Sequence, residues 1–311
     1  MKLLMQVCGA LIITVALTPF AHAQGEGKRE VLRAADGQPI HITYYPFRES
    51  KDSGAMTALT APVVILLHGE KSNRLAWDKN SAAPGQDPFP ILLQKRGYVV
   101  ISVDLRKHGD SITMGSPAEA DVNALDYQAM VIGDLPAVKE FLYQENQAKR
   151  LNMTKLGIVA VDVSAPVAAA FAEFDWTRPP FDDAPIPANR TPRGQDVKAL
   201  VLISPSNGAG RLKTNGSLKL LRAINPGIAL QVIVGGQDAV AKKQAQTLFE
   251  SYAPPRSSRD NTRVEFLTPD TKESGMALFR QTTVYAFVFK FLETNLKPLD
   301  FQWQDRRSRL E

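Results

Sequence analysis

Six short apolar runs constrain most strongly what this chain can fold into. They read VVILL at Val63 to Leu67, YVVISV at Tyr98 to Val103, LGIVAV at Leu156 to Val161, ALVLIS at Ala199 to Ser204, ALQVIV at Ala229 to Val234 and RVEFL at Arg263 to Leu267. A strand that is apolar at successive positions must be covered on both faces, and helices supply that cover in a parallel sheet. Helical stretches do lie between or beside the runs, over Pro88 to Arg96, Ala124 to Gln144, Ala165 to Phe174, Leu218 to Ala223, Ala241 to Tyr252 and Met276 to Thr294. Ahead of them, Glu30 to Phe47 has strand-like residues on both sides of Asp36-Gly37, a hairpin turn signal. The order predicts an α/β protein with a mostly parallel central sheet of about eight strands and helices on both faces. No internal repeat is visible.

The first residues read differently. Lys2 precedes an apolar run from Leu3 to Leu17, and Ala21-His22-Ala23 forms a small-x-small cleavage signal before Gln24. The run is shorter than the ~20 residues a bilayer needs and ends in Thr18-Pro19, so residues 1–23 are expected to be a signal peptide rather than a membrane anchor. Cys8 lies too early, and lacks the small residues before it, for a lipoprotein anchor. Export with cleavage after Ala23 removes this one cysteine of the chain, leaving residues 24–311 as a single domain without disulfides. The destination is periplasmic or extracellular. At 44% apolar composition the chain can build its own core.

The net charge of +5 falls by one when Lys2 leaves, and the basic residues are interspersed among the acids. A solvated surface explains this pattern, and neither a nucleic-acid face nor a stable membrane anchor is expected. Only the end, RRSRLE at Arg306 to Glu311, is locally basic, and it reads as a frayed tail. The stretch from Asp175 to Asp196 holds five prolines and has no amphipathic period. It is either a reduced lid over a cleft or a surface loop. Gly208 and Gly210 form a Gly-x-Gly too short to suggest a nucleotide, so a plain turn is expected there. No cofactor is called for.

Three segments resemble the α/β-hydrolase superfamily in their order and spacing. VVILLHGE at Val63 to Glu70 is similar to that family's strand and His-Gly turn, GYVVISVDLRKHGDS at Gly97 to Ser111 to its next strand and Asp-x-Arg-x-x-Gly-x-Ser loop, and VIVGGQD at Val232 to Asp238 to the strand end that presents the triad acid. The resemblance covers most of the chain and implies the α/β-hydrolase fold, with a minimal cap or none. It also implies a nucleophile elbow after LGIVAV, where the strained turn needs small residues two before and two after its centre. With Asp162 at the centre, Ala160 and Ser164 fill those positions. With Ser164 at the centre, Pro166 would stand where a small residue is needed, so Asp162 is assigned the nucleophile position.

The resemblance further places the triad acid at Asp238, the base at the residue before Gly275-Met276-Ala277-Leu278-Phe279, which here is Ser274, and the oxyanion-hole N–H groups at Glu70 and Val163. An aspartate nucleophile is used in branches that resemble haloalkane dehalogenases and epoxide hydrolases, but its ester intermediate needs a histidine to activate water. No histidine follows His108. A serine hydroxyl cannot replace imidazole as a base near neutral pH. The triad is therefore read as incomplete. The expected function is that of an exported, non-catalytic or ligand-binding pseudo-hydrolase, with a small molecule in the cleft. The alternative is an active hydrolase on esters or related small substrates, working through Asp162 with His68 or His108 as a non-standard base. A metal site of Asp162, Asp238 and Asp104 would need three carboxylates to converge, and their spacing carries no compact ligand motif.

Overall fold

The structure is a computed structural model that describes residues 27–79, 85, 87–112, 122–225, 227–253 and 263–310. The expected leader, 1–23, lies outside them.

The hairpin signal at Asp36-Gly37 is realised as β1 (Lys28–Arg33) and β2 (Pro39–Tyr45), with Gly37 in the left-handed region at φ 83°. The apolar runs become β3 (Val63–Leu67), β4 (Val99–Val103), β5 (Leu156–Val161), β6 (Val197–Ile203), β9 (Ala229–Ile233) and β10 (Val264–Leu267), while β7 (Gly208–Ala209) and β8 (Leu212–Lys213) make a separate short hairpin. The eight long strands form one sheet in the order β1-β2-β4-β3-β5-β6-β9-β10. From β4 to β10 every neighbouring pair is parallel; β1 and β2 join antiparallel at one edge.

Side chains alternate across this sheet and enter two separate cores. Ile65, Ile101, Ile158, Leu202 and Val232 pack against α3 (Leu135–Gln147), α4 (Ser164–Thr177), α5 (Thr214–Ile224) and α6 (Ala239–Tyr252). Leu66, Val100, Val159, Val201 and Ile233 face the other way, onto α1 (Phe89–Lys95), α7 (Gly275–Phe279) and α8 (Thr282–Asn295). The second core is rich in aromatic edges, with Phe89 and Phe279 rings 5.1 Å apart and Phe89 and Tyr285 rings 5.0 Å apart, both edge-on.

Two expected helices are interrupted. The stretch from 124 to 144 divides into α2 (Ala124–Ala129), a π-turn at Met130–Asp134 and α3. Pro136 stands in the first turn of α3 and cannot donate to the carbonyl four residues back, so the ladder loosens ahead of it. The slack brings buried Asp134 against Arg106, which donates to it from its backbone N–H (3.0 Å) and from its guanidinium (3.0 and 2.6 Å). The stretch from 276 to 294 divides at Gln281, whose extended backbone (ψ 131°) separates α7 from α8 and whose side chain donates to Thr271 Oγ1 at 2.8 Å.

At the edge of the sheet where the parallel strands begin, one of two sequence alternatives falls away and one expectation is corrected. The proline-rich stretch from Asp175 to Asp196 runs from the end of α4 to the start of β6, so it lies at the edge opposite to the β5–α4 turn and is not a lid over that turn. The basic tail is not frayed. Arg306 is 3% exposed and donates to both carboxylate oxygens of Asp196 (2.8 and 3.0 Å) and to the carbonyl of Gly194 (3.0 Å). Asp196, Asp175 and Lys139 complete a buried group of two acids and two bases, in which Lys139 pairs with both acids. A basic run read by composition alone looks solvated, but here two carboxylates buried by the preceding loop need the cation.

Removing Arg306 leaves Asp196 with Lys139 alone. Arg306→Ala is expected to destabilise the protein by about 3 kcal/mol in urea unfolding, at the low end for breaking a buried pair because Lys139 remains. The neighbouring exposed pair of Arg307 and Asp305 serves as the control, and Arg307→Ala should leave the midpoint nearly unchanged.

Candidate functional site

The β5 strand ends at Val161 and α4 begins at Ser164, which forces a reversal within two residues. Asp162 takes the strain at φ 52°, a left-handed conformation that aspartate tolerates better than most side chains. The turn is fixed by backbone bonds: Asp162 N–H donates to Ile203 O (3.0 Å), and its carbonyl accepts from Ala165 N (3.1 Å) and Ser206 N (3.2 Å). Ser164 is buried. Its hydroxyl donates to Val161 O (2.8 Å) and accepts from Val161 N (2.9 Å), so it serves the turn and is turned away from solvent.

The Asp162 carboxylate lies between two glycines. A β-carbon on Gly69 would overlap its Oδ2, and one on Gly275 would stand 2.6 Å from Oδ2 and 3.0 Å from Oδ1. Gly275 itself has φ +56° and donates its N–H to Ser204 Oγ at 2.9 Å. The segment after β10 therefore does reach Asp162, but through the backbone of Gly275. Ser274, one residue earlier, is exposed and stands at the N-terminus of α7. Sequence reasoning singled out Ser274 and passed over Gly275, although a glycine in a strand-to-helix turn is itself a signal of close backbone approach.

Asp238 lies at the same edge of the sheet, where the parallel strands end. The Gly235-Gly236 turn packs on the segment after β10, with Gly236 N–H donating to Pro269 O (2.7 Å) and Gln237 N–H to Thr271 O (3.1 Å). Asp238 is exposed and caps α6, its Oδ1 accepting from Val240 N (3.0 Å) and Ala241 N (2.9 Å). Glu70 is exposed beside Asp162, and Val163 precedes the first turn of α4. Neither backbone N–H, of Glu70 or of Val163, has an acceptor among the described residues.

Burial first, and then the negative charge of Glu70, lift the Asp162 carboxyl to about 6. No histidine bonds to it among the described residues. His68 is buried, and both ring nitrogens are engaged by backbone: Nδ1–H donates to Gly69 O at 2.8 Å, and Nε2 accepts from Leu105 N, in the loop after β4, at 3.4 Å. Burial, with His108 beside it at a ring distance of 4.7 Å, lowers its pKa to about 3, so the ring stays neutral and is a poor base. His108 donates from Nδ1 to Arg106 O at 2.9 Å.

Asp104 does not join Asp162 and Asp238. It is buried against Arg74, with which it pairs through the guanidinium and the backbone N–H (2.6 Å), and it also accepts from Asp110 N (2.9 Å). Its carboxylate is thus committed to holding the loop after β4. Among the described residues no group of three His, Cys, Asp or Glu side chains is arranged to hold a metal. Gly208 and Gly210 fall in the β7–β8 hairpin, where Gly210 has φ +56°.

The raised carboxyl gives a pH-dependent prediction. Its pKa rises on folding, from 3.8 to about 6, so the folded state holds this proton between those values while the unfolded state has lost it. The contribution of Asp162 to stability falls as pH rises through that window and is constant above it. Asp162→Asn keeps the shape and tolerates the left-handed backbone. It should leave stability unchanged near pH 4 and raise it by about 1–2 kcal/mol at pH 8, allowing for partial solvent contact. Urea midpoints at the two pH values read this directly; equal gains at both would mean that charge burial is not the cause.

No protein-family model matches the sequence, and no curated protein sequence matches it significantly. Solved structures do. An esterase from Pyrococcus furiosus is 18% identical, with 87% of this chain and 91% of that one covered at a TM-score of 0.55. The acylaminoacyl peptidase of Pyrococcus horikoshii is 12% identical over 90% of this chain and 43% of its own, also at 0.55. An acetyl xylan esterase from Paenibacillus is 12% identical, with 86% and 83% covered at 0.52. Such likeness speaks for architecture alone, and it agrees with the strand order and with the strained turn after β5: this chain has the α/β-hydrolase fold.

Proposed function

We propose that this is an exported pseudo-hydrolase, in which Asp162 occupies the nucleophile position, Asp238 the acid position and Ser274 the position of a missing histidine. The carrying observation is that Gly275, and no imidazole, stands against the Asp162 carboxylate. Among the described residues no histidine bonds to this aspartate to activate water for hydrolysis of an ester formed on it. The N–H groups of Glu70 and Val163, which have no acceptor among the described residues, support a binding role, because backbone donors survive side-chain replacement and suit a carbonyl or carboxylate oxygen of a small ligand. Export rests on the leader-like residues 1–23, and the exported protein should begin at Gln24.

A second reading has one observation in its favour: Glu70 places another carboxylate near Asp162. In that reading the Asp162 carboxylate attacks the ester carbonyl and expels the alcohol as its alkoxide, and water deprotonated by Glu70 then cleaves the acyl anhydride, releasing the acid and restoring the Asp162 carboxylate. The neighbours named as esterases and as an acylaminoacyl peptidase indicate which substrates to try, namely short activated esters and an acylated aminoacyl amide.

The purified protein is expected to show no turnover of these above background. Turnover that disappears in both Asp162→Ala and Glu70→Gln would establish the second reading instead. The pseudo-hydrolase reading also predicts that Asp162→Ser together with Ser274→His creates ester hydrolysis that neither change gives alone, since members of a triad act as a unit. Asp238, oriented by two N–H groups through Oδ1, is the acid for that rebuilt triad. A wild type as active as the double variant would refute the proposal.

A further inference from the structure

The edge of the sheet remote from Asp162 carries a second site of different chemistry. The proline-rich stretch and the C-terminal segment enclose an open depression of about 690 Å³ there, with Arg178, Arg190, Arg193 and Arg309 in its wall. Arg178 and Arg193 also line an adjoining depression of about 290 Å³. Asp305 is the acidic side chain in the wall of the larger one, and it is engaged by Arg307. Arg190 pairs with Asp182 at 2.6 Å. Arg178, Arg193 and Arg309 pair with no acid among the described residues.

The arginines are placed by the fold rather than scattered over the surface. The Arg178 guanidinium lies over the Phe174 ring at 5.6 Å, and that of Arg193 over the Phe181 ring at 5.0 Å. A ring beneath the guanidinium face leaves its N–H edge open, the edge that reads an oxyanion bidentately. Asp183 ties the two walls together, accepting from Thr191 N (2.9 Å) on the loop and from Arg309 N (3.1 Å) on the tail. Beneath them, the buried group of Lys139, Asp175, Asp196 and Arg306 is balanced in charge, so it neither cancels nor supplies the field of the three arginines. Two guanidiniums held over rings, with that of Arg309 in the same wall, give the depression positive charge that no acid pairs among the described residues, and such a field favours an anion.

We propose that this depression binds a small polyanion carrying two or more phosphate or carboxylate groups, held by Arg178, Arg193 and Arg309. The site is independent of the Asp162 reading, since it lies at the other edge of the sheet and uses none of the same residues.

Calorimetric titration of the full protein at low salt tests it, with pyrophosphate as the phosphate probe and citrate as the carboxylate probe. At least one probe is expected to bind saturably with a stoichiometry of one, and preference between them identifies which oxyanion the site favours. Each of Arg178→Gln, Arg193→Gln and Arg309→Gln should weaken binding by about tenfold, the effect of one charge-assisted hydrogen bond. Arg193→Lys, which keeps the charge but loses the planar fork, should recover only part of that loss. Because the three arginines lie outside the ion pairs of the described residues, thermal unfolding of the Arg309 variant should match that of the parent, and the Arg178 and Arg193 variants should lose only the modest contribution of their ring contacts. A control triple variant at the exposed Lys219, Lys242 and Lys290, each changed to Gln, removes three charges elsewhere, more than any single arginine variant, and should bind normally. Absence of binding by both probes, or equal weakening in the control variant, would overturn the proposal.

Discussion

Everything in this molecule hangs on a sheet that is dry on both sides. The residues of β3, β4, β5 and β9 are essentially inaccessible to water along their whole length. Such strands cannot be joined by tight turns, since each parallel neighbour must start again from the same end. The helices that return the chain supply the two cores, and they also divide the loops between two edges. The edge where parallel strands end receives Asp162, Glu70, Asp238 and Gly275. The other receives the proline-rich stretch and the C-terminal segment. One packing requirement thus separates a region of acidic and backbone chemistry from a region of arginines.

The strands were legible because continuous hydrophobicity is a strong local signal. VVILL and LGIVAV match their strands end to end, and the hairpin about Asp36-Gly37 follows from its turn chemistry. What sequence could not show was where tertiary partners override local preference. The π-turn before α3 depends on a proline two residues into the next helix and on Arg106 reaching Asp134 from the loop after β4. Arg306 looks like any surface cation until Asp196, 110 residues earlier, is buried beneath it.

The candidate site divides in the same manner. Its residue types were readable: Asp162 at the centre of small neighbours, Ser274 before a glycine, Asp238 after a pair of glycines. Orientation was not. Ser274 faces solvent while Gly275 meets the carboxylate, and this follows from the φ of Gly275 and its bond to Ser204, both set by chain that is remote in sequence. Asp238 reads in the sequence only as the triad acid, and the structure shows that its Oδ1 caps α6. The influence of Glu70 on Asp162 needed the fold, because 92 residues separate them and only the adjacency of β3 and β5 brings them together.

The docked tail has a consequence for the order of events in folding. Asn146 reaches Gln304 across 158 residues, Asn152 reaches Phe301 across 149, and Arg306 closes on Asp196. These contacts are distant in sequence, so they cannot form until some 110 to 158 further residues have been made. A nascent chain lacking them can form the hairpin, the strands and most of the first core. It still holds Asp175 and Asp196 together against a single lysine, and two carboxylates with one cation resist burial. The edge where the parallel strands begin therefore stays unsealed until residues 301–306 have docked, and that segment acts as the clasp that turns a collapsed chain into a native one.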